Sequence, residues 1–316
     1  MKQPADRSPV ALPAIPGMGS AYLKTLTARR GRGGIEPVEL RVDDVEIDAE
    51  HLADYQRLLG EPVADAAPAG YPFVLAFPLM LGVMTRKGFP LRALGMVHVA
   101  NRVVQNHPVR IGESIGLRTW AQDLRGHRSG TQVELVTQAL DADGDVAWEQ
   151  TSTFLAKGTR IEGLPAADDD ARGEFVPPVP TAQWRLERSD ATRYAAVSGD
   201  RNPIHLHPLL AKAFGFPRAI AHGMYTAARV LASVGAERGE SYSWDVAFGR
   251  PVLLPSTVAV RVAHPDDDAP SSAAKAGSVP SGRATPSSSE RSRFDLAVWD
   301  PKSGKPHLTG TLTPID

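Results

Sequence analysis

The sequence contains no cysteine, so the chain can have no disulfide, no thiolate nucleophile and no cysteine-ligated metal. It also lacks any apolar run of about 18 residues, the length at which a stretch becomes a candidate membrane helix. Pro4, Pro9, Pro13 and Pro16 interrupt the N-terminus where a signal peptide would need an unbroken apolar segment. We therefore expect a cytoplasmic protein that does not bind a membrane.

An excess of charge of either sign is missing as well, because 35 basic residues nearly balance 36 acidic ones. Nucleic acid is therefore not expected as a partner. The early cluster of Arg29, Arg30 and Arg32 fits a solvated turn about as well as a contact with a phosphorylated ligand. With 42% hydrophobic and 22% charged residues, the chain of 316 residues has a globular composition and a length that suits two domains.

The first half begins with an arm, residues 1–36, which is rich in proline, glycine and arginine and in which only Ala21–Ala28 looks helical. Residues 37–160 follow as a first domain. Here we predict a strand over 40–47, a helix capped by Asp48 that ends at Leu59, and a loop leading into a buried helix over 71–85. Four further strands are predicted at 96–104, 114–122, 131–141 and 146–155. A buried helix followed by antiparallel strands is an α+β arrangement.

The second half, 181–316, repeats this order after a proline-rich and acidic linker at 161–180. Ser189 is the predicted cap of a helix carrying Tyr194. A short helix opened by Pro208 and a longer apolar helix over 220–237 come next. Strands are predicted at 243–249, 252–262, 294–299 and 307–313. Residues 265–292, rich in serine and proline, predict a disordered insertion. The two halves therefore read as two copies of one unit.

The stretch from Tyr194 to Met224 is the strongest indication of a site, because it concentrates ionisable groups in an otherwise apolar segment. Asp200 and His205 are close enough in one loop to reach a common atom, and a carboxylate beside an imidazole suits a general acid/base pair. Asn202 could support them. Gly223 stands at the start of the long helix, where an unpaired backbone N–H could bind an oxyanion.

Less specific interpretations of these residues stay open. Asp200 and Asn202 alone would fit a turn or a helix cap, and His222 fits structural support of the turn before the long helix. Asp200, His205, His207 and His222 are of types that ligate metals, but their spacing is not that of an established ligand set. We therefore expect no metal site, and we place His207 at a helix cap or on the surface.

The segments SGDRNPIH and GFPRAIAHGM, within 194–224, resemble the MaoC-type dehydratases, also called hydratase 2 or (R)-specific enoyl-thioester hydratases. The resemblance covers this stretch without a gap, the rest of the second half in outline, and the first half only in element order. It departs from the family at the insertion 265–292 and at Leu254–Thr257, where a Gly-Asp turn is frequent. It implies a tandem (double) hotdog fold, each unit an antiparallel sheet wrapped around a central helix, with a degenerate first unit.

By this resemblance Asp200 and His205 are the catalytic dyad, Asn202 supports them, and the Gly223 N–H polarises a thioester carbonyl. The implied reaction is the reversible dehydration of (R)-3-hydroxyacyl thioesters in fatty-acid metabolism. The acyl group would be carried by CoA or acyl carrier protein, with no other cofactor. A thioesterase and a noncatalytic acyl-thioester-binding subunit are the alternatives. We expect either a monomer with internal pairing of its two units or a homodimer.

Other side chains receive weaker assignments. Phe214, Phe216 and Met224 are candidate walls of an acyl pocket, although core packing explains each of them singly. In the first half His98, Asn101 and His107 do not reproduce the polar pattern, and they are interpreted as strand and turn residues. The first half is therefore expected to contribute no chemistry of its own.

Overall fold

The computed structural model describes every residue except 1–6, 29–30, 32–33, 167–172, 266–292 and 316. The early arginine cluster and nearly all of the predicted insertion therefore lie outside the described residues. Within them, no helix is long and apolar enough to cross a membrane.

The described residues form eleven strands of a single sheet and seven α-helices. The strands are β1 (Ser8–Ala11), β2 (Val38–Glu46), β3 (Val97–Gln105), β4 (Ser114–His127), β5 (Gly130–Leu140), β6 (Val146–Lys157), β7 (Ala182–Leu186), β8 (Tyr242–Phe248), β9 (Ser256–Ala263), β10 (Phe294–Trp299) and β11 (Pro306–Pro314). The helices are α1 (Met18–Thr27), α2 (Ala49–Leu59), α3 (Tyr71–Met84), α4 (Arg188–Ser198), α5 (Pro203–Leu206), α6 (Pro208–Ala213) and α7 (Gly223–Ala232). A 3-10 turn at Gly235–Arg238 follows α7.

The sheet runs in the order β1-β2-β4-β5-β6-β3-β8-β11-β10-β9-β7. All strands of the first half lie on one side and all strands of the second half on the other. The two sides meet where β3 pairs antiparallel with β8, with Val103 opposite Trp244. Both of these residues are fully buried, so the junction is part of one continuous core. The α+β prediction, with a repeated unit in each half, is confirmed. The domain boundaries at 37–160 and 181–316 stay a prediction.

α3 is the central helix of the first half and packs against β2, β4 and β5. Nearly all of its side chains are buried, which a helix wrapped by a sheet requires. The predicted loop at the start of this segment is wrong, because the helix begins at Tyr71. Pro72 lies in the first turn, where no intrahelical N–H bond is lost, and the burial of the helix tolerates Pro78 in its interior.

Three predicted boundaries in the second half also need correction. α4 is capped by Glu187 and not by Ser189, because the Asp190 carboxylate accepts the Glu187 N–H at 2.7 Å in a capping box. The long helix starts at Gly223 because Ile220 forms a β-bridge with Leu253, and it ends at Ala232 instead of continuing to residue 237. β9 begins only at Ser256, since the prolines before it cannot donate ladder hydrogen bonds.

The N-terminal arm is more structured than its composition indicates. β1 forms the edge of the sheet and pairs in parallel with β2, with Val10 opposite Leu40. α1 then packs against α3, and its Ala21 is only 3% exposed. These contacts carry the arm across the first half to the polar stretch of the second half.

Candidate active site

The loop carrying Asp200 is made by the end of α4. Gly199 caps this helix with φ +71°, a left-handed conformation that favours glycine, and the chain turns so that Asp200 faces the interior. Asn202 then caps the short helix α5, accepting the Ile204 N–H at 3.4 Å on its side-chain oxygen. The predicted loop therefore contains a short helix, and His205 lies on it.

His205 is buried, and its orientation is set by the backbone of a neighbouring segment. Its Nδ1 lies 2.8 Å from the carbonyl oxygen of Ile220, so Nδ1 carries the proton and Nε2 is left with a lone pair. Burial lowers the pKa of His205 below its ordinary 6.5, although the Asp200 charge and the Ile220 hydrogen bond act in the opposite direction. The imidazole is therefore neutral at neutral pH.

His222, the residue before α7, connects that helix to the Asp200 loop. Its Nε2 lies 2.9 Å from the backbone oxygen of Asp200, and its ring stacks on that of His205 with centroids 3.7 Å apart. Burial lowers the pKa of His222 to about 3. A neutral, fully buried ring bonded to backbone agrees with the interpretation of His222 as structural support for the turn.

Asp200 is held by two donors on the same oxygen. The Tyr22 hydroxyl and the Asn202 backbone N–H, the latter at 3.1 Å, both donate to Oδ1. Burial alone would raise the pKa of Asp200, but the imidazoles of His222 and His205 and these hydrogen bonds outweigh it and leave the pKa below its ordinary value. The site therefore contains a carboxylate beside two neutral imidazoles.

Gly223 is the first residue of α7, so its N–H has no acceptor within the helix and lies at the positive end of the helix dipole. It lines the same cavity as Asp200 and His205. A Cβ at this position would lie 3.1 Å from the Phe248 ring, which is tighter than an ordinary carbon contact. The position therefore favours glycine.

Asp200, His205 and His222 each offer a possible metal ligand atom, and these atoms lie within 4.8 Å of one another. Their geometry does not favour a metal site. The two imidazoles are stacked at an interplanar angle of 25°, so their in-plane lone pairs run side by side instead of converging. His207, the fourth candidate ligand, is exposed at the start of α6.

The cavity in front of these groups has a volume of about 270 Å³ and is lined by both halves of the chain. The second half supplies the polar residues together with Phe216 and Met224, two of the predicted walls. Phe214 is not a wall, since it does not line the cavity and is 38% exposed.

The first half supplies an apolar wall that the sequence did not reveal. The α3 side chains in this wall are Phe73, Phe77, Leu81 and Met84. The first half was expected to contribute no chemistry of its own, and these four side chains contribute an apolar surface. α3 has apolar side chains on every side, so no spacing in its sequence distinguished the face that meets the cavity.

His98 on β3 also lines the cavity, in addition to being the strand residue that was predicted. Its ring stacks on Phe154 with centroids 4.6 Å apart and lies near Phe248. Burial lowers the pKa of His98 to about 4, so it is a neutral aromatic element of the wall.

Comparison with known proteins places this geometry in a family. The MaoC like domain matches residues 170–280, which include the Asp200 loop and α7. 3-Hydroxyacyl-thioester dehydratase X of Mycobacterium tuberculosis is 34% identical over 303 residues, covering 96% of this chain and 93% of that protein. 3-Hydroxybutyryl-CoA dehydratase of Methylorubrum extorquens is 38% identical over 81 residues, covering 24% of this chain and 52% of that protein.

Solved structures agree with the sequence matches. The crystal structure of HtdX of M. tuberculosis superposes with a TM-score of 0.71 at 35% identity, covering 88% of this chain and 100% of that one. A MaoC-like dehydratase from Phytophthora capsici, at 19% identity, gives a TM-score of 0.65 over 88% of this chain and 95% of that one, a likeness of fold. The predicted double hotdog fold is thus confirmed, and with a relative 34% identical along nearly its whole length, this chain belongs to the MaoC-like dehydratase family.

Proposed function

We propose that this chain catalyses the reversible dehydration of (R)-3-hydroxyacyl thioesters to trans-2-enoyl thioesters. The observation that carries the proposal is the meeting of Asp200, His205 and the Gly223 N–H at one cavity. The relative that is similar along most of the chain is named a 3-hydroxyacyl-thioester dehydratase, which supports the same reaction here.

In the hydration direction, water adds to C3 of the enoyl thioester and a proton is added to C2. Negative charge builds up on the thioester oxygen, and the Gly223 N–H is placed to stabilise it; such a donor is typically worth roughly 2.7–4 kcal/mol. Asp200 and His205 are the proton-transfer groups: at neutral pH Asp200 is a carboxylate, and His205 is a neutral imidazole whose Nε2 can accept a proton. The proton that reaches C2 therefore comes from the attacking water by way of this pair.

The reverse reaction uses the same groups. One of the pair removes the C2 proton, and the leaving C3 hydroxyl takes a proton and departs as water, so no proton is gained or lost overall. Proton transfer and oxyanion stabilisation suffice for this chemistry. We therefore propose that no cofactor is required beyond the carrier of the acyl group, and turnover should survive treatment with a chelator.

The carrier is proposed to enter where the cavity meets solvent. Lys157 at the end of β6 and Arg250 just after β8 both line the cavity and are both exposed. β6 and β8 flank β3 and run in the same direction, so their carboxyl ends lie on the same side of the sheet. By strand spacing, the two cations at these strand ends are roughly 10 Å apart. CoA and acyl carrier protein share a phosphopantetheine phosphate, and Lys157 and Arg250 are placed to bind that anion.

The acyl group is proposed to lie against α3, whose Phe73 and Phe77 line the same cavity as Asp200 and His205. An apolar wall with a few convergent polar groups is the usual composition of a small-molecule site. Each half therefore has a separate task, with the second half supplying the polar groups and the first half supplying the apolar surface that excludes water.

The test is a pair of assays on crotonyl-CoA with the full chain. Loss of enoyl absorbance without release of free thiol is the expected result. Release of thiol would instead indicate a thioesterase, and binding without either change would indicate a noncatalytic acyl-thioester-binding subunit. The product should be the (R)-alcohol, which chiral analysis of 3-hydroxybutyrate after hydrolysis measures.

Variants connect the activity to the site. Asp200→Asn and His205→Ala should each lower turnover by about 10²–10⁴-fold, because each removes a proton-transfer group while the chain keeps its fold. His207→Ala is the matched control: this histidine follows α5 but is exposed, and its loss should leave turnover unchanged. Near-normal hydration by either dyad variant would show that the roles have been wrongly assigned.

A further inference from the structure

The N-terminal arm brings one polar side chain directly onto the proposed catalytic carboxylate. Tyr22 on α1 donates a hydrogen bond from its hydroxyl to Asp200 Oδ1, although the two residues lie 178 positions apart in the sequence. Tyr22 and Thr25 both line the cavity, so the arm forms part of its wall. Among the described residues, the other hydrogen bond to this oxygen comes from the Asn202 backbone N–H, so Tyr22 is its side-chain donor.

We propose that Tyr22 is a positioning residue that holds Asp200 Oδ1 and leaves Oδ2 as the working oxygen, an inference that rests on the proposed function. Oδ1 already receives two hydrogen bonds, from Tyr22 and from the Asn202 N–H. Among the described residues, no hydrogen bond to Oδ2 is formed. The nitrogen of a titratable side chain nearest to Oδ2 is His222 Nε2, at 3.9 Å. Oδ2 is thus the oxygen that can accept a proton from water or C2.

The arm is fixed well enough to perform this task. Ala21 is buried in the core beside Tyr22, and the Thr25 hydroxyl donates to the Tyr22 carbonyl at 2.7 Å. Met18 packs on Gly199, where an added Cβ would lie 2.6 Å from the Met18 Cγ. α1 therefore rests directly on the turn that carries Asp200, and the Tyr22 ring has a defined position.

The electrostatics of the contact favour a permanent donor. Burial raises the pKa of Tyr22 well above its ordinary value, and the adjacent Asp200 charge adds to the effect, so the phenol stays protonated. A hydrogen bond from a neutral donor stabilises the carboxylate and lowers the pKa of Asp200. The titratable groups that act on Asp200 come from α1, α4, α5, the start of α7 and β3: Tyr22, Tyr194, His205, His222 and His98.

Tyr22→Phe is the direct test, because it removes the hydroxyl and keeps the ring. We expect the kcat for crotonyl-CoA hydration to fall about tenfold, the scale of a lost hydrogen bond to a charged group, with little change in KM or melting temperature. Tyr71→Phe is the matched control. Its hydroxyl lies 2.9 Å from His51 Nδ1 and outside the cavity, so its loss should leave kcat unchanged.

A second readout reports on Asp200 without turnover. In a chain labelled with ¹³C at the aspartate carboxyls, the signal lost in Asp200→Asn identifies Asp200. This signal should titrate at a pH about one unit higher in Tyr22→Phe than in the unmodified chain, and at an unchanged pH in Tyr71→Phe. In the Asp200→Asn background, Tyr22→Phe should cause no further loss of turnover, because the two residues act as a unit.

Met18→Ala keeps the hydroxyl but loosens the arm, and it serves if Tyr22→Phe does not fold. Met18→Ala should lower kcat and raise the pH at which Asp200 titrates, and both effects should be smaller than in Tyr22→Phe. The inference is overturned if the folded variants keep the unmodified kcat and titration. That result would leave the proposed function intact, whereas an unmodified chain that hydrates no enoyl thioester would remove the proposed function itself.

Discussion

Replacing Gly199 by alanine tests both the turn that carries Asp200 and the arm that rests on it. Gly199 has φ +71°, and a left-handed conformation costs a residue with a Cβ roughly 1–2 kcal/mol. The new methyl group would also lie 2.6 Å from the Met18 Cγ, about 1 Å inside an ordinary carbon contact. Overpacking of this kind typically adds about 1–3 kcal/mol, and a flexible methionine places it near the lower end.

Gly215→Ala is the matched control, because Gly215 also has a left-handed φ, +85°, but an added Cβ would meet nothing within 4 Å. Chemical denaturation should therefore show a loss of about 1–2 kcal/mol for Gly215→Ala and about 2–4 kcal/mol for Gly199→Ala. Turnover should fall only in Gly199→Ala, since displacement of Met18 moves α1 and with it the Tyr22 hydroxyl.

The contact itself is tested by combining Gly199→Ala with Met18→Ala. Shortening Met18 removes the Cγ that the new methyl would strike, so the double variant should recover part of the stability lost in Gly199→Ala. Strictly additive losses, or equal losses of turnover in the two glycine variants, would refute the argument that α1 rests on this turn.

Three further predictions concern the cavity and its pH dependence. Lys157→Ala and Arg250→Ala should each raise KM for crotonyl-CoA by about two- to fivefold with kcat unchanged, and the effect should disappear at high salt. Phe77→Ala should enlarge the cavity and shift the substrate preference, measured as kcat/KM, towards thioesters with longer acyl chains. Leu79 is buried on α3 but outside the cavity, so Leu79→Ala should lower the free energy of unfolding by about 2–5 kcal/mol without changing this substrate preference. Because burial lowers the pKa of His205, kcat/KM should be lost only as the pH falls below 6.5, and a limb centred above that value would contradict a neutral His205.

The polar part of the site could be predicted from sequence because it is local in the chain. Asp200, Asn202 and His205 lie within one turn and short helix, and Gly223 follows in the same continuous stretch. The chemistry of the residue types and their order were enough to bring them together. The exact start of the long helix was not predicted, since the bridge between Ile220 and Leu253 that delays it depends on a distant segment.

The rest of the site depends on contacts that no local pattern encodes. Tyr22 lies in the one stretch of the arm that looks helical, but its sequence does not show what that helix contacts, and the docking of α1 on α3 brings Tyr22 to Asp200. α3 itself was partly misread because Pro78 and Gly82 interrupt its apolar run, although the buried helix continues through both. The packing of the two halves determines which α3 side chains line the cavity, whereas the sequence of α3 shows only that these side chains are buried.

The junction of β3 with β8 brings the half without the polar motif to the cavity. These strands join the two units into one sheet, and this places the first-half His98 beside the second-half Phe248 at the cavity. Without the first half, the carboxylate and imidazole would face water, where a developing oxyanion is stabilised far less by one N–H. On the proposed function, an apolar first half would serve the reaction, because the low-dielectric wall that it provides would strengthen the proposed interaction between the Gly223 N–H and the thioester oxygen.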